Sequence, residues 1–318
     1  MPDPTRGRPS EPALSARRDD DAQHRPAAPA PAAPADPAHA DAARADAAAA
    51  RGLSLPGLVR IEDMAGDRQF AIALARGLEI LRAFTPGEPM LGNRDLCQRT
   101  GLPKATVSRL SYTLMMLGYL DYNAAHRKYQ LGPGVLTLGH PLLASLTVRQ
   151  RARPLMERLA TATRCTVNLA MRDRLSMVYV ESCRVDASNP TYPDIGSTLP
   201  LLRTAAGRAL ILASARKQQA AILNRLRLDD GDEYARMATM LEADRTRLKR
   251  FGWCLSEGEW RRGIHALAVP LNLPGHAEPL ALNCTTADHR RGEPGFASSV
   301  GPMLVETVRL IEQACTQP

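Results

Sequence analysis

The sequence lacks paired cysteines. Cys97, Cys165, Cys183, Cys254, Cys284 and Cys315 are scattered, with no C-x-x-C among them. Neither a disulfide framework nor a zinc site is expected, and the thiols read as small buried hydrophobes in a reducing compartment. The N-terminus also lacks an apolar signal core, and no apolar run reaches membrane-spanning length. Both absences point to a cytoplasmic chain with no membrane partner. There is no nucleophile-elbow glycine pattern, no H-E-x-x-H and no phosphate loop, so no motif for catalysis or nucleotide binding is in place. No catalytic residue, metal or cofactor is expected.

Between residues 25 and 51 there is no aromatic side chain and little besides Ala and Pro. Such text has too little to bury to offset the entropy of ordering, so residues 1–65 read as a disordered tail. The 318 residues carry 41 Lys and Arg against 33 Asp and Glu, a net +8. The tail is net −2, residues 66–140 are net +4, and residues 141–318 are net +6. The basic excess therefore sits in the part that folds, which suits a phosphate-rich partner or a solvated basic surface.

What is present is a run of helical periods from residue 66. Leu74, Leu78 and Leu81 share one helical face, with Gly77, Ile80 and Phe84 beside it, and Thr85-Pro86-Gly87 ends the pattern. A short helix with Leu96 and Cys97 comes next, then a Thr100-Gly101-Leu102 turn. The following helix is expected to begin at Pro103, whose fixed φ suits a first helical position. Val107, Leu110, Leu114 and Leu117 make its apolar stripe, leaving Lys104, Thr106, Ser108, Arg109, Ser111 and Tyr112 to face outward. After Gly118 the period shortens to an alternating hairpin with Arg127 and Lys128 near its tip. Helix, turn, polar-faced helix and basic hairpin make a winged helix-turn-helix over residues 66–132, a device that places a helix in the DNA major groove.

Residues 133–147 read as a mostly apolar linker helix, kinked at Pro141 and suited either to a dimer contact or to packing on its own domain. A helix over residues 148–163 carries Arg149, Arg151, Arg153 and Arg158, read as solvated or ion-paired rather than as DNA contacts. Strand patterns follow at residues 166–171, 176–182 and 197–202, then helices from residue 204, strands near 253–257, 264–271 and 280–286, and a closing amphipathic helix over 296–314. Residues 148–318 thus read as one α+β domain.

The runs Ala75-Arg76-Gly77-Leu78-Glu79-Ile80-Leu81, Arg99-Thr100-Gly101-Leu102-Pro103-Lys104-Ala105-Thr106-Val107-Ser108-Arg109-Leu110 and Tyr129-Gln130-Leu131-Gly132-Pro133 resemble the IclR family of bacterial transcriptional regulators. So do Gly196-Ser197-Thr198-Leu199-Pro200-Leu201 with Ala206-Gly207-Arg208-Ala209, and Gly263-Ile264-His265-Ala266-Leu267-Ala268-Val269-Pro270. The likeness spans residues 67–315 in the family's order, a far more specific signal than any single motif. Two departures stand out. Gly92-Asn93 replaces the usual polar cap and apolar residue, and Cys284 and Thr286 stand at positions read as the family's frequent serines.

The resemblance implies a winged helix-turn-helix, a helical linker and a GAF-like α+β effector domain. It implies a homo-oligomer, dimer or dimer of dimers, that binds a pseudo-palindromic site on double-stranded DNA and answers to a small carboxylate effector. Lys104, Thr106, Ser108, Arg109, Ser111, Tyr112, Arg127 and Lys128 would face DNA, and Thr204, Ala205, Ala206, Ser256, Ile264, Ala266, Cys284 and Thr286 would line the effector pocket. Free N–H groups at the helix start near Thr204 suit a carboxylate, although Ala205, Ala206, Ile264 and Ala266 read equally as plain core. Two rivals stand beside this reading. One is an effector module without DNA binding. The other is an enzyme, with Asp173, Asp288 and His289 drawn into a triad.

Overall fold

The computed structural model of the chain describes residues 57–185, 193–276, 278–287 and 295–316. The N-terminal domain is built from α1 (Ile72–Arg82), β1 (Met90–Leu91), α2 (Asn93–Thr100), α3 (Lys104–Met116), β2 (Leu120–Asn123) and β3 (Lys128–Leu131). Its antiparallel sheet has the order β1-β3-β2. Ile80, Phe84, Leu91, Leu96, Val107 and Leu120 form its core. Each such side chain contributes roughly 1.5–3 kcal/mol on burial, which is enough to fix α3 on the small scaffold.

Two local expectations are corrected, and one short strand is added. On α1 the buried side is Gly77 and Ile80, with Phe84 buried just past the helix end, while Leu74 and Leu78 are 65% and 48% exposed. Pro103 (φ −59°, ψ 146°) caps α3 from outside, and the first helical residue is Lys104. β1 has only two residues, too few to show alternation in sequence.

The wing is anchored where β3 leaves it. Gly132 N–H donates to Tyr119 O (2.9 Å), and a Cβ at Gly132 would lie 2.5 Å from Gly118 O, so only glycine allows the approach. The linker helix α4 (Gly134–Ser145) runs through Pro141, and the chain breaks at Leu146 (φ −76°, ψ 80°) before α5 (Thr147–Thr163). Leu136, Leu138 and Leu142 of α4 are exposed.

The second domain continues with β4 (Thr166–Asp173), β5 (Ser176–Cys183), β6 (Thr198–Pro200), α6 (Ala205–Ala213), α7 (Arg216–Asp229), α8 (Gly231–Phe251), β7 (Cys254–Glu257), β8 (Ile264–Leu271), β9 (Leu280–Ala287) and α9 (Phe296–Thr316). The strands form one antiparallel sheet, β6-β5-β4-β9-β8-β7. Alternate residues of each strand point to opposite faces. On one face Val167, Leu267, Leu282 and Cys284 pack with Met156 of α5 and Leu304 of α9. On the other, Tyr179, Ala268 and Ala281 pack with Leu210 of α6, Ile222 of α7 and Leu241 of α8. The fold is α+β, as expected.

Residues 57–65 depart from the tail reading. Leu58 is 7% exposed and belongs to the α6-side core. Arg60 pairs with Asp229 (2.8 Å) and Arg225 with Asp63 (3.4 Å). One apolar anchor and two ion pairs are too few to give this stretch a sequence signature of its own. The rest of the tail, residues 1–56, lies outside the described residues.

Candidate nucleic-acid interface and effector cleft

Helix α3 has two sides. Val107 and Ser111, four residues apart, are fully buried, with Leu110 and Leu114 half-buried beside them. Lys104, Ser108, Arg109 and Tyr112 lie on the exposed side. Thr106 is half-buried on the flank. The structure removes Ser111 from the outward set, because a position one turn after Val107 shares its inward azimuth. Its Oγ is buried without a hydrogen-bond partner. Leu117, expected on the inner stripe, is 64% exposed.

At the wing, Arg127 sits at the tip with φ 53° and is exposed. Lys128 is half-buried, with Nζ 3.7 Å from Asp95. Asp95 also accepts the Gly92 N–H (2.9 Å), so the capping of α2 survives the Gly92-Asn93 departure. Lys104, Arg109 and Arg127 have no ion-pair partner among the described residues, so their charge is available to a partner. The arginines of α5 are engaged as expected. Arg149 and Arg153 both reach Glu181 at 3.0 Å, and Arg151 donates to Ala314 O (2.6 Å).

On the α6 side of the larger sheet lies a partly open cleft. Thr204, Ala205, Ala206, Ser256, Ile264 and Ala266 all line it, so six expected positions meet at one site. Thr204 caps α6. Its Oγ1 accepts the Gly207 N–H (3.1 Å) and donates to Pro200 O (2.9 Å). The N–H groups of Ala205 and Ala206 have no acceptor within the helix and stand at its positive end. Gly207 lets this end sit against the turn after β6, for a Cβ there would fall 2.2 Å from Leu201 O.

Cys284 and Thr286 are corrected. Cys284 lies in the core on the opposite face of the sheet, and Thr286 shares its parity. Their strand neighbours Asn283 and Thr285 line the cleft instead. A one-residue slip on a strand exchanges faces, and the register shows where the face runs. Ser256 pairs with Ala266, Ala266 with Thr285, and Thr285 with Thr166. Once Ser256 and Ala266 are in the cleft, this row brings in Thr285 and Thr166, and the adjacent row brings in Asn283 and Asn168. Met177, Tyr179, Pro193, Leu199 and Trp260 complete the lining. They come from elements distant in sequence, and no local pattern marks them.

Asn283 Nδ2 donates to Thr285 Oγ1 (2.8 Å) and reaches the Tyr179 hydroxyl (3.4 Å). Burial pushes the Tyr179 phenol up to about 12, so it stays protonated at neutral pH. Ser256 Oγ is bonded to Glu259, whose carboxylate also accepts the Glu257 N–H (2.7 Å).

Asp173 pairs with Arg82, and Asp288 and His289 lie outside the described residues. No described helix is long and apolar enough to cross a membrane.

The model of the IclR helix-turn-helix domain matches residues 73–124, and that of the bacterial transcriptional regulator IclR C-terminal domain matches residues 140–312. The chain belongs to the IclR family. It is a DNA-binding transcriptional regulator of the IclR type. The chain is 36% identical to the HTH-type transcriptional regulator TsaQ1/TsaQ2 of Comamonas testosteroni, over 76% of this chain and 87% of that one. An IclR family transcriptional regulator from Brucella abortus has a similar crystal structure, with 39% identity, a TM-score of 0.71, and coverage of 82% of this chain and 97% of that one. An IclR homologue from Microbacterium hydrocarbonoxydans, complexed with 4-hydroxybenzoate, shares the fold at 21% identity and a TM-score of 0.58, over 77% of this chain and 99% of that one. The relatives so described are transcriptional regulators.

Proposed function

We propose that this IclR-type regulator reads a pseudo-palindromic operator as a homo-oligomer, a dimer or a pair of dimers, and that a small carboxylic acid in the cleft shifts its hold on DNA. The observation that carries the DNA half is the two-sided α3, with Val107 and Ser111 held inside and Lys104, Ser108, Arg109 and Tyr112 free. Arg109 is assigned to a base edge. Lys104, Arg127 and Lys128 are assigned to phosphates, and Thr106, Ser108 and Tyr112 to the backbone flanking the groove. Phosphate contacts supply affinity and register, and base contacts supply selectivity.

The acid is assigned to the α6 N-terminus, where the Ala205 and Ala206 N–H groups meet small side chains that admit a ligand to the backbone. The solved homologue with 4-hydroxybenzoate supports an aromatic acid for a cleft walled by Met177, Leu199 and Trp260. The two ends are linked through the β4–β5 turn. Arg174 Nη1 donates to Glu79 of α1 (2.6 Å), and Asp173 accepts from Arg82 of α1. Strand β5, which starts two residues later, carries Met177 and Tyr179 into the cleft. A ligand that favours one seating of β5 thereby favours one seating of α1 and α3, the differential affinity that linkage requires. The exposed leucines Leu74, Leu78, Leu136, Leu138 and Leu142 supply the oligomer contact. A DNA-binding regulator built this way works in the cytoplasm.

The test is a mobility-shift series on the DNA upstream of its own gene, repeated across salt and with added aromatic acids, beside sedimentation of the free protein. A shift that weakens steeply with salt and answers to an acid is expected. No shift, with acid binding retained, would select the effector module without DNA binding. A monomer that shifts DNA would remove the oligomer.

A further inference from the structure

The floor of the cleft carries an unanswered acceptor. Asn283 is 2% exposed and lines the cleft, and its Oδ1 is buried without a hydrogen-bond partner. The other end of the amide is engaged, Nδ2 lying between Thr285 Oγ1 at 2.8 Å and the Tyr179 hydroxyl at 3.4 Å. With Nδ2 so engaged, Oδ1 is the amide's unused side. A buried carbonyl oxygen facing no donor is a standing penalty, and in a native site it marks where a missing partner fits. Tyr179 adds the complementary group. Its hydroxyl receives the Asn283 N–H, and its own proton is left to give. An acceptor and a donor side by side match a hydroxyl group, which needs one of each.

We propose, building on the assignment of a carboxylic acid to this cleft, that Asn283 is a specificity-determining residue. It selects acids bearing a hydroxyl, in the class of small hydroxy-aromatic acids, over the same acid without that hydroxyl. The carboxylate lies at Ala205 and Ala206, the ring lies between Met177 and Trp260, and the hydroxyl donates to Asn283 Oδ1 while accepting from Tyr179. A site built to hydrogen-bond a hydroxyl rejects the analogue lacking it, because the buried polar groups are then left unpaired.

The experiment is calorimetric titration of the full chain with benzoate, 3-hydroxybenzoate, 4-hydroxybenzoate and 4-formylbenzoate, repeated on Asn283→Leu and Asn283→Ala. In the unaltered protein at least one hydroxybenzoate should bind about tenfold or more tightly than benzoate. In both variants that ratio should fall to within about threefold of one. The ratio within one variant is insensitive to a modest loss of stability, and two side chains of different size guard against a folding defect. Equal affinity for benzoate and hydroxybenzoates in the unaltered protein, an unchanged ratio in the variants, or a preference for 4-formylbenzoate would each overturn the role of Asn283 while leaving the carboxylate reading intact. Failure of every benzoate to bind would overturn both.

Discussion

Arg208 and Asp244 meet in the interior with both side chains at 0% exposure, Nε lying 2.6 Å from Oδ2. The guanidinium also donates to Leu202 O (2.8 Å) and Leu255 O (2.6 Å), and Asp244 accepts the Leu255 N–H (3.0 Å) and a bond from Arg247. One side chain thus ties α6, the turn before it, α8 and the strand that carries Ser256. Removing one member of a buried pair strands the other, so Arg208→Met should cost about 3–5 kcal/mol of stability. Urea unfolding measures this. Arg208→Met with Asp244→Leu should recover part of the loss, and a double variant no better than the single would show that the neighbouring bonds matter more than the pair.

On DNA the basic residues should separate by role. Lys104→Ala and Arg127→Ala are expected to weaken operator and unrelated duplex alike, each lowering the slope of log affinity against log salt by about 0.9. Arg109→Ala should cost about 1–3 kcal/mol at the operator with a smaller effect on unrelated DNA. Fluorescence anisotropy with both duplexes distinguishes them, and equal losses on both would move Arg109 to the phosphate group of contacts.

Ser111 offers the opposite outcome. Its hydroxyl is buried and unpaired on α3, so Ser111→Ala should raise stability by about 1 kcal/mol, through the removed penalty and the better helix former. DNA affinity should be unchanged. A weakened complex would mean that Ser111 turns outward when DNA is bound.

Gly207→Ala should harm the cleft selectively. The added Cβ meets Leu201 O at 2.2 Å and Leu201 Cα at 2.5 Å, and backbone cannot swing aside as a side-chain tip can. A loss of about 1–3 kcal/mol is expected from the forced shift, together with loss of aromatic-acid binding, since Ala205 and Ala206 move with the helix end. Thermal melting and titration report the two effects.

The fold should be sensitive to base in a stated window. Burial pushes Tyr179 up to about 12 from 10.0, and Cys183 to about 11 from 9.0. Both hold their protons longer folded than unfolded, so their effect is absent below the unfolded values and stability falls as pH rises from about 9 to 12. Tyr179→Phe removes the tyrosine's share, about 2–3 kcal/mol at the top of that range at ~1.36 kcal/mol per unit, and leaves that of Cys183. Unfolding midpoints at pH 8 and pH 11 check it: the difference between them should shrink in the variant.

The larger outline was legible because periodicity reports burial where one face is wholly apolar. Strand β8 was read at Ile264–Leu271 as observed, and the helices of the second domain fell within a few residues. The misreadings share one cause. A leucine is taken to be inside and a serine outside, yet Leu74 and Leu78 are exposed and Ser111 is buried. Composition cannot show this, since azimuth is set by what each helix packs against. The exchange of Asn283 and Thr285 for Cys284 and Thr286 is the strand version of that problem. Every side chain of β9 up to Thr286 is buried, so its faces differ in polarity less than in what they touch. Tyr179 and Trp260 reach the cleft through sheet order and loop placement, which single-strand patterns do not contain.

The seat of Leu58 has a practical corollary. A gene shortened to begin at codon 66, where Ala and Pro cease to dominate, would remove a plug from the hydrophobic layer beneath α6 and leave Asp229 and Arg225 with idle charges. The shortened product should melt below the full chain, by the lost burial of Leu58 and the two lost ion pairs.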